Sequence, residues 1–299
     1  MELGKLDKNS FHLAGIIPVA GSTTEFNIPG HGVLMPVSPD LNLIERSVLE
    51  CAYAGCESIW IVCNDDIAPV VKYYVGDWVE DPSSIEAGLY IKYTEKSRLS
   101  IPIYYVPIHP KHRDKIDCYA WSILHGANVA YWICRRLGRW LIPDKYYVSF
   151  PCGVYDPAEV KRFRSALVNK KSFYFSYKNE TVCDGHPLGF SFDAKEWKRA
   201  RTVIKSNSRL YEAPLDSDEI PSKLLPPEER HKSRNFNLGD VFSGANILDA
   251  TIGELSWIFN LTSWSEYCKL LVSDNVHTLT KPYGFVTGKI NIGEEVDEN

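Results

Sequence analysis

Apolar residues in this chain fall in short runs between polar turns, and the runs alternate between two spacings. Residues 14–19 are continuously apolar, the pattern of a strand covered on both faces. A loop of small and hydroxylated residues follows, Ala20-Gly21-Ser22-Thr23-Thr24. Behind Ser38-Pro39-Asp40, the residues Leu41, Leu43, Ile44, Val48, Leu49, Ala52 and Tyr53 recur at helical spacing, and Gly55 suits the helix end. Residues 58–63 predict a second buried strand and 67–74 a short helix. Residues 101–108 predict another strand, 117–137 a long helix, 145–150 a further strand and 158–168 a helix. Strands that alternate with helices in this way imply an α/β fold built on a parallel sheet with right-handed crossovers.

The second half is less regular. Residues 172–177 alternate aromatic and small side chains and predict a strand, Asp184-Gly185 predicts a hairpin turn, and 188–192 the returning strand. Residues 77–100 read as irregular, and 214–237, polar and rich in proline, as an exposed excursion. Helices are expected over 251–258 and 264–272. The chain divides into a polar tail over 1–12, one domain over 13–287 and an acidic tail over 288–299, with no internal repeat.

Composition narrows the function classes. The chain has 299 residues, 44% of them hydrophobic, enough for a sizeable core. A formal net charge of −5 argues against a general nucleic-acid binder. There is no apolar run long enough to span a membrane and no signal-peptide apolar region, so a cytoplasmic protein is expected. The eight cysteines lie mostly inside apolar runs and form no C-x-x-C pair, the mark of reduced core residues rather than a metal centre. Nothing in the sequence sets the oligomeric state.

Two stretches carry candidate chemistry. The loop after the first strand can bring backbone N–H groups near a phosphate, with Ala20, Gly21, Ser22 and Thr23 as its ligands. The segment His109-Pro-Lys-His-Arg-Asp-Lys115 follows an apolar strand, and ligands in open α/β sheets bind at the C-terminal ends of strands. There Lys111, His112, Arg113 and Lys115 can clamp phosphates, while Asp114 and Asp117 can hold a metal or orient the basic groups.

The order of motifs resembles the sugar-1-phosphate nucleotidylyltransferases. It is carried by Gly15-Ile-Ile-Pro-Val-Ala-Gly21, Leu34-Met-Pro-Val37, Leu43-Ile-Glu-Arg-Ser-Val-Leu49 and Ala54-Gly-Cys-Glu-Ser-Ile-Trp-Ile-Val62, and near the other end by Phe259-Asn-Leu-Thr-Ser-Trp-Ser-Glu-Tyr-Cys-Lys-Leu-Leu271. The resemblance implies a Rossmann-like GT-A fold with a mixed, mostly parallel sheet flanked by helices. It also implies transfer of a nucleotidyl group from a nucleoside triphosphate to a sugar phosphate or similar acceptor, with Mg2+. A GT-A glycosyltransferase using a nucleotide sugar, and a non-catalytic descendant serving as a binding or structural protein, are the alternatives. The family's loop continues with glycine, threonine and arginine, where this chain has Ser22-Thr23-Thr24-Glu25, and a family Pro-Lys pair is replaced by His31-Gly32. The family's metal aspartate after the strand ending near Phe150 is replaced by Pro151-Cys152-Gly153. Asp156 is the nearest acid there, and Asp249 the candidate for a late metal ligand. Catalytic charge would then come from Lys111, Arg113 and Asp117, with His112 and Lys115 on the nucleotide.

Overall fold

The computed structural model describes residues 11–21, 26, 30–83, 100–108, 118–207, 236–247, 249–282 and 287–289. In chain order the strands are β1 (Leu13–Pro18), β2 (Pro36–Ser38), β3 (Leu41–Asn42), β4 (Ser58–Asn64), β5 (Trp78–Glu80), β6 (Ser100–Ile108) and β7 (Lys145–Val148). Then come β8 (Gly153–Val154), β9 (Phe173–Ser176), β10 (Phe190–Phe192), β11 (Thr251–Glu254), β12 (Phe259–Asn260) and β13 (Thr287–Gly288). The helices are α1 (Leu43–Tyr53), α2 (Ala68–Val75), α3 (Tyr119–Leu137), α4 (Pro157–Lys161), α5 (Arg164–Leu167), α6 (Ala194–Asn207), α7 (Leu238–Phe242) and α8 (Trp264–Val272).

A nine-stranded sheet runs in the order β11-β9-β10-β7-β1-β4-β6-β5-β13. Strand β1 is parallel to β4 and β7, and β4 to β6. Strand β10 opposes β7 and β9, and β5 opposes β6 and β13, so the sheet is mixed but mostly parallel. The continuous apolar runs are explained by two-sided burial. Ala14 and Ile16 of β1, with Trp60 and Val62 of β4, enter the core beneath α3; Leu13, Ile17, Ile59, Ile61 and Cys63 enter the core beneath α1. Gly126 lets α3 approach that face, where a Cβ would lie 2.6 Å from Val62 Cγ2. A third, smaller core joins Val37, Leu43, Val154, Leu261 and Leu270.

Helix α1 starts at a capping box: Asn42 Oδ1 accepts from Glu45 N at 2.9 Å, and Glu45 Oε2 accepts from Asn42 N at 3.1 Å. Several other elements depart from expectation. The helix expected over 158–168 is broken into α4 and α5. Residues 251–258 form no helix. Thr251–Glu254 is an edge strand paired in parallel with β9, and Gly253 admits the ring of Phe173, which would lie 2.7 Å from an added Cβ. Asp184-Gly185 is not the hairpin turn; Val182–Asp184 is a 3-10 turn ended by Gly185 at φ +98°. The tight turn is Lys178–Asn179, both at positive φ, bridged by Tyr177 and Glu180. The helix α6 had no sequence expectation, and the short strand β5 lies within 77–100, where irregular structure was expected. The 214–237 excursion lies outside the described residues as far as 235, as do residues 1–10 and 290–299 of the tails. All eight cysteines are free, and all but Cys268 are buried.

Candidate functional site

The strand order sets the place for a site. From β1 the chain moves through α1 to β4 and on to β6, then α3 carries it back to β7 on the other side of β1. The two connecting helices cover opposite faces, so the loops at the carboxyl ends of β1 and β7 diverge and leave a crevice. A cleft of about 440 Å3 opens there.

Its walls come from post-strand loops. Gly21 follows β1 at φ +76°, a conformation that disfavours other residues. The residue packs so closely on the start of α3 that a Cβ would stand 2.5 Å from the Cys118 carbonyl carbon. Ala20 lies just behind it: its N–H donates to Val62 O (3.0 Å) and its carbonyl accepts the buried Ser122 Oγ at 2.7 Å. The loop after β1 is thus fastened to both β4 and α3. Tyr119 reaches across the cleft, and its hydroxyl donates to Cys152 Sγ at 3.2 Å. Burial pushes the Cys152 thiol up to about 11, so it stays a neutral thiol near pH 7.

The far wall is more polar. Asn260 of β12 and Thr262 just after it line the cleft, and Asn260 pairs with Gly153 of β8. Asn260 Oδ1 is buried and meets no hydrogen-bond partner among the described residues. Two carboxylates also line the cleft, but each already serves its own turn. Asp184 accepts from Thr181 N (2.8 Å) and Thr181 Oγ1 (3.1 Å), and Asp240 caps α7 by accepting from Asn237 N at 3.1 Å.

Of the residues expected at the site, Gly21 lines the cleft, and its neighbour Ala20 is buried and not part of the lining. Ser22, Thr23, Lys111, His112, Arg113, Lys115 and Asp117 lie outside the described residues; Gly21 and Cys118, which adjoin them in sequence, both line the cleft. Asp156 is not part of the lining. It is the N-cap of α4, accepting from Ala158 N at 2.8 Å, and burial raises its carboxyl pKa. Asp249 is exposed and accepts from Asn246 Nδ2 at 2.7 Å, also away from the lining. Among the described residues no three His, Cys, Asp or Glu side chains come together as metal ligands. Sequence reasoning passed over Asn260, Thr262 and Cys152 because neutral side chains carry no signal by type. The segment Asn260-Leu-Thr262 did stand inside the late motif of the resemblance. Among the described residues no helix is long and apolar enough to cross a membrane.

No protein-family model and no curated protein matches the sequence. Solved structures do. The "Putative Glucose-1-Phosphate Thymidylyltransferase" from Bacillus anthracis, in complex with sucrose, aligns over 87% of this chain and 94% of its own at 13% identity, with a TM-score of 0.50. A UTP-bound UGPase from Acinetobacter baumannii aligns over 88% of this chain and 93% of its own at 14% identity and a TM-score of 0.48. At 13% identity the likeness to the thymidylyltransferase structure is one of backbone alone. The chain has a sugar-1-phosphate nucleotidylyltransferase-like fold.

Proposed function

We propose that the cleft binds a nucleoside triphosphate and a phosphorylated sugar-like acceptor and supports nucleotidyl transfer between them. An acceptor phosphate oxygen attacks the α-phosphorus, the bond from that phosphorus to the bridging oxygen breaks, and pyrophosphate leaves. The observation that carries this reading is the position of the cleft: it opens at the carboxyl ends of β1 and β7, walled by Gly21, Cys118 and Cys152. The described lining contains no lysine or arginine, while the transferring group is anionic. Charge would come from Lys111, Arg113 and Lys115, which the chain carries between Ile108 at the end of β6 and Cys118 at the cleft. Gly21, Ser22 and Thr23 would hold phosphate through backbone N–H and hydroxyl groups, with His112 alongside.

Purified protein should therefore bind a nucleoside triphosphate in calorimetry and release pyrophosphate when glucose-1-phosphate is added. Lys111→Ala and Arg113→Ala should each weaken triphosphate binding about tenfold or more, the scale of a charge-assisted contact. Unchanged affinity in both variants would remove the basic segment from the site. A second reading, binding without turnover, is favoured by one observation: the acids at the cleft are engaged in turns, and Cys152 and Asn260 are neutral. Tight triphosphate binding with no pyrophosphate release for any of the four common triphosphates, with Mg2+ or Mn2+ present, would decide for it.

A further inference from the structure

Arg46 and Glu50 lie one turn apart on α1, and both side chains are fully buried. Arg46 Nη2 stands 2.9 Å from Glu50 Oε2. Burying both charges is costly, and a well-packed apolar pair would hold a helix to a sheet as well. Arg46 Nε even remains without a hydrogen-bond partner among the described residues.

The rest of the network converges on a single loop. Glu50 accepts Ser149 Oγ at 2.7 Å and Tyr147 OH at 2.5 Å, and also the Tyr155 hydroxyl. Arg46 donates to Phe150 O at 2.9 Å and Tyr155 O at 3.4 Å, and its guanidinium lies 5.0 Å from the Tyr155 ring centre. Both ends of residues 149–155 are therefore fastened to α1. The middle of the same loop forms a cleft wall: Cys152 lines it, and Gly153 pairs with Asn260. Two glycines allow the arrangement. At Gly189 a Cβ would stand 2.5 Å from Tyr147 OH and 2.7 Å from Tyr155 OH, and at Gly153 it would stand 2.0 Å from Pro187 O.

We infer that Arg46 and Glu50 are positioning residues, a buried ionic clamp that fixes residues 149–155 so that Cys152 and Asn260 face the ligand. The inference rests on the cleft being the ligand site. Its test separates the two. In the full chain, Arg46→Met, Glu50→Leu, Tyr147→Phe, Ser149→Ala and Tyr155→Phe are combined, so that no hydroxyl that donates to Glu50 is stranded. Urea unfolding, amide hydrogen exchange and UTP binding are then measured against wild type. The expected result is an unfolding midpoint equal to or above wild type, amide exchange at residues 152–154 at least tenfold faster, and UTP binding at least tenfold weaker. Unchanged exchange at 152–154 in the folded variant overturns the clamp. If the fivefold variant does not fold, Glu50→Gln takes its place, because it keeps the shape and removes the charge. Faster exchange confined to 149–155 then supports the clamp, and a uniform rise along the chain overturns it. If wild type itself fails to bind UTP, the reading of the cleft falls, while the exchange comparison still decides the clamp.

Discussion

Gly21 joins two constraints that usually occur apart. Its φ of +76° is one that an L side chain adopts only at a cost, and its α-hydrogen faces the Cys118 backbone. Gly30 provides the contrast, with φ +106° and, among the described residues, nothing within 4 Å of an added Cβ. Gly30→Ala is expected to cost about 1–2 kcal/mol through backbone strain alone. Gly21→Ala must in addition push α3 and the loop apart, and should cost roughly 2 kcal/mol more, the scale of overpacking in a tight interior. Urea unfolding of the two variants measures the difference. Equal losses would mean that the contact with Cys118 contributes nothing. The glycine itself was legible in the sequence as a loop residue after a strand. The reason it must be glycine was not, because Cys118 is far away along the chain and meets it only through the α3 crossover.

At the scale of elements, what the sequence revealed depends on how completely an element is buried. Strands β1, β4 and β7 were legible because both their faces are covered and their runs are unbroken, and β6 because its run is apolar although Tyr104 and Pro107 are exposed. Trp264–Val272 was legible through helical spacing and Ser263, whose Oγ accepts from Glu266 N. β11 was misread because Ile252, Leu255 and Ile258 mimic a helical stripe, whereas pairing with β9 decides its conformation and leaves Ile252 exposed. α6 is mostly polar. Only Ala200 and Ile204 are buried, with Trp197 partly so, yet Asp193 caps it by accepting from Glu196 N at 2.9 Å. The hairpin turn was misplaced because Asp184-Gly185 is the stronger turn dipeptide, while Lys178–Asn179 makes the turn at φ 52° and 67°. That geometry favours Asn-Gly. Replacing Lys178→Asn together with Asn179→Gly should stabilise the protein by about 1 kcal/mol, seen as a rise of a few degrees in Tm. A fall in Tm would mean that the Lys178 side chain, whose ammonium lies 5.0 Å from the Tyr177 ring centre, stabilises more than the strain costs.

For the whole molecule, the two cores on either side of the sheet hold many buried acids of the weak kind, and this sets the alkaline limit of stability. Burial pushes the Cys63 thiol up to about 12 and the Cys152 thiol up to about 11, and raises Cys51 as well. The unfolded chain releases these protons near pH 8.5, while the folded state keeps them, so each thiol costs about 1.4 kcal/mol per pH unit above that point. Three thiols together give roughly 4 kcal/mol per unit. Lys145 acts in the opposite sense. It is buried, donates to Asn169 O (2.8 Å) and Lys171 O (2.6 Å), and its pKa falls to about 8, so the unfolded state holds its proton longer. Its contribution rises with pH between about 8 and 10.4, again at about 1.4 kcal/mol per unit. The thiols win by the larger slope. Under reducing conditions the urea midpoint should hold steady from pH 7 to 8.5 and then fall, with the stability of a marginal domain gone by about pH 10.5. With Lys145 set against the three thiols the net slope is roughly 3 kcal/mol per unit, so Cys63→Ala should make the fall shallower by about half, and Lys145→Met should make it steeper. A midpoint that stays level from pH 8.5 to 10.5 would mean that these thiols are reached by solvent in the folded state, and that the cores are looser than the continuous burial of β1 and β4 implies.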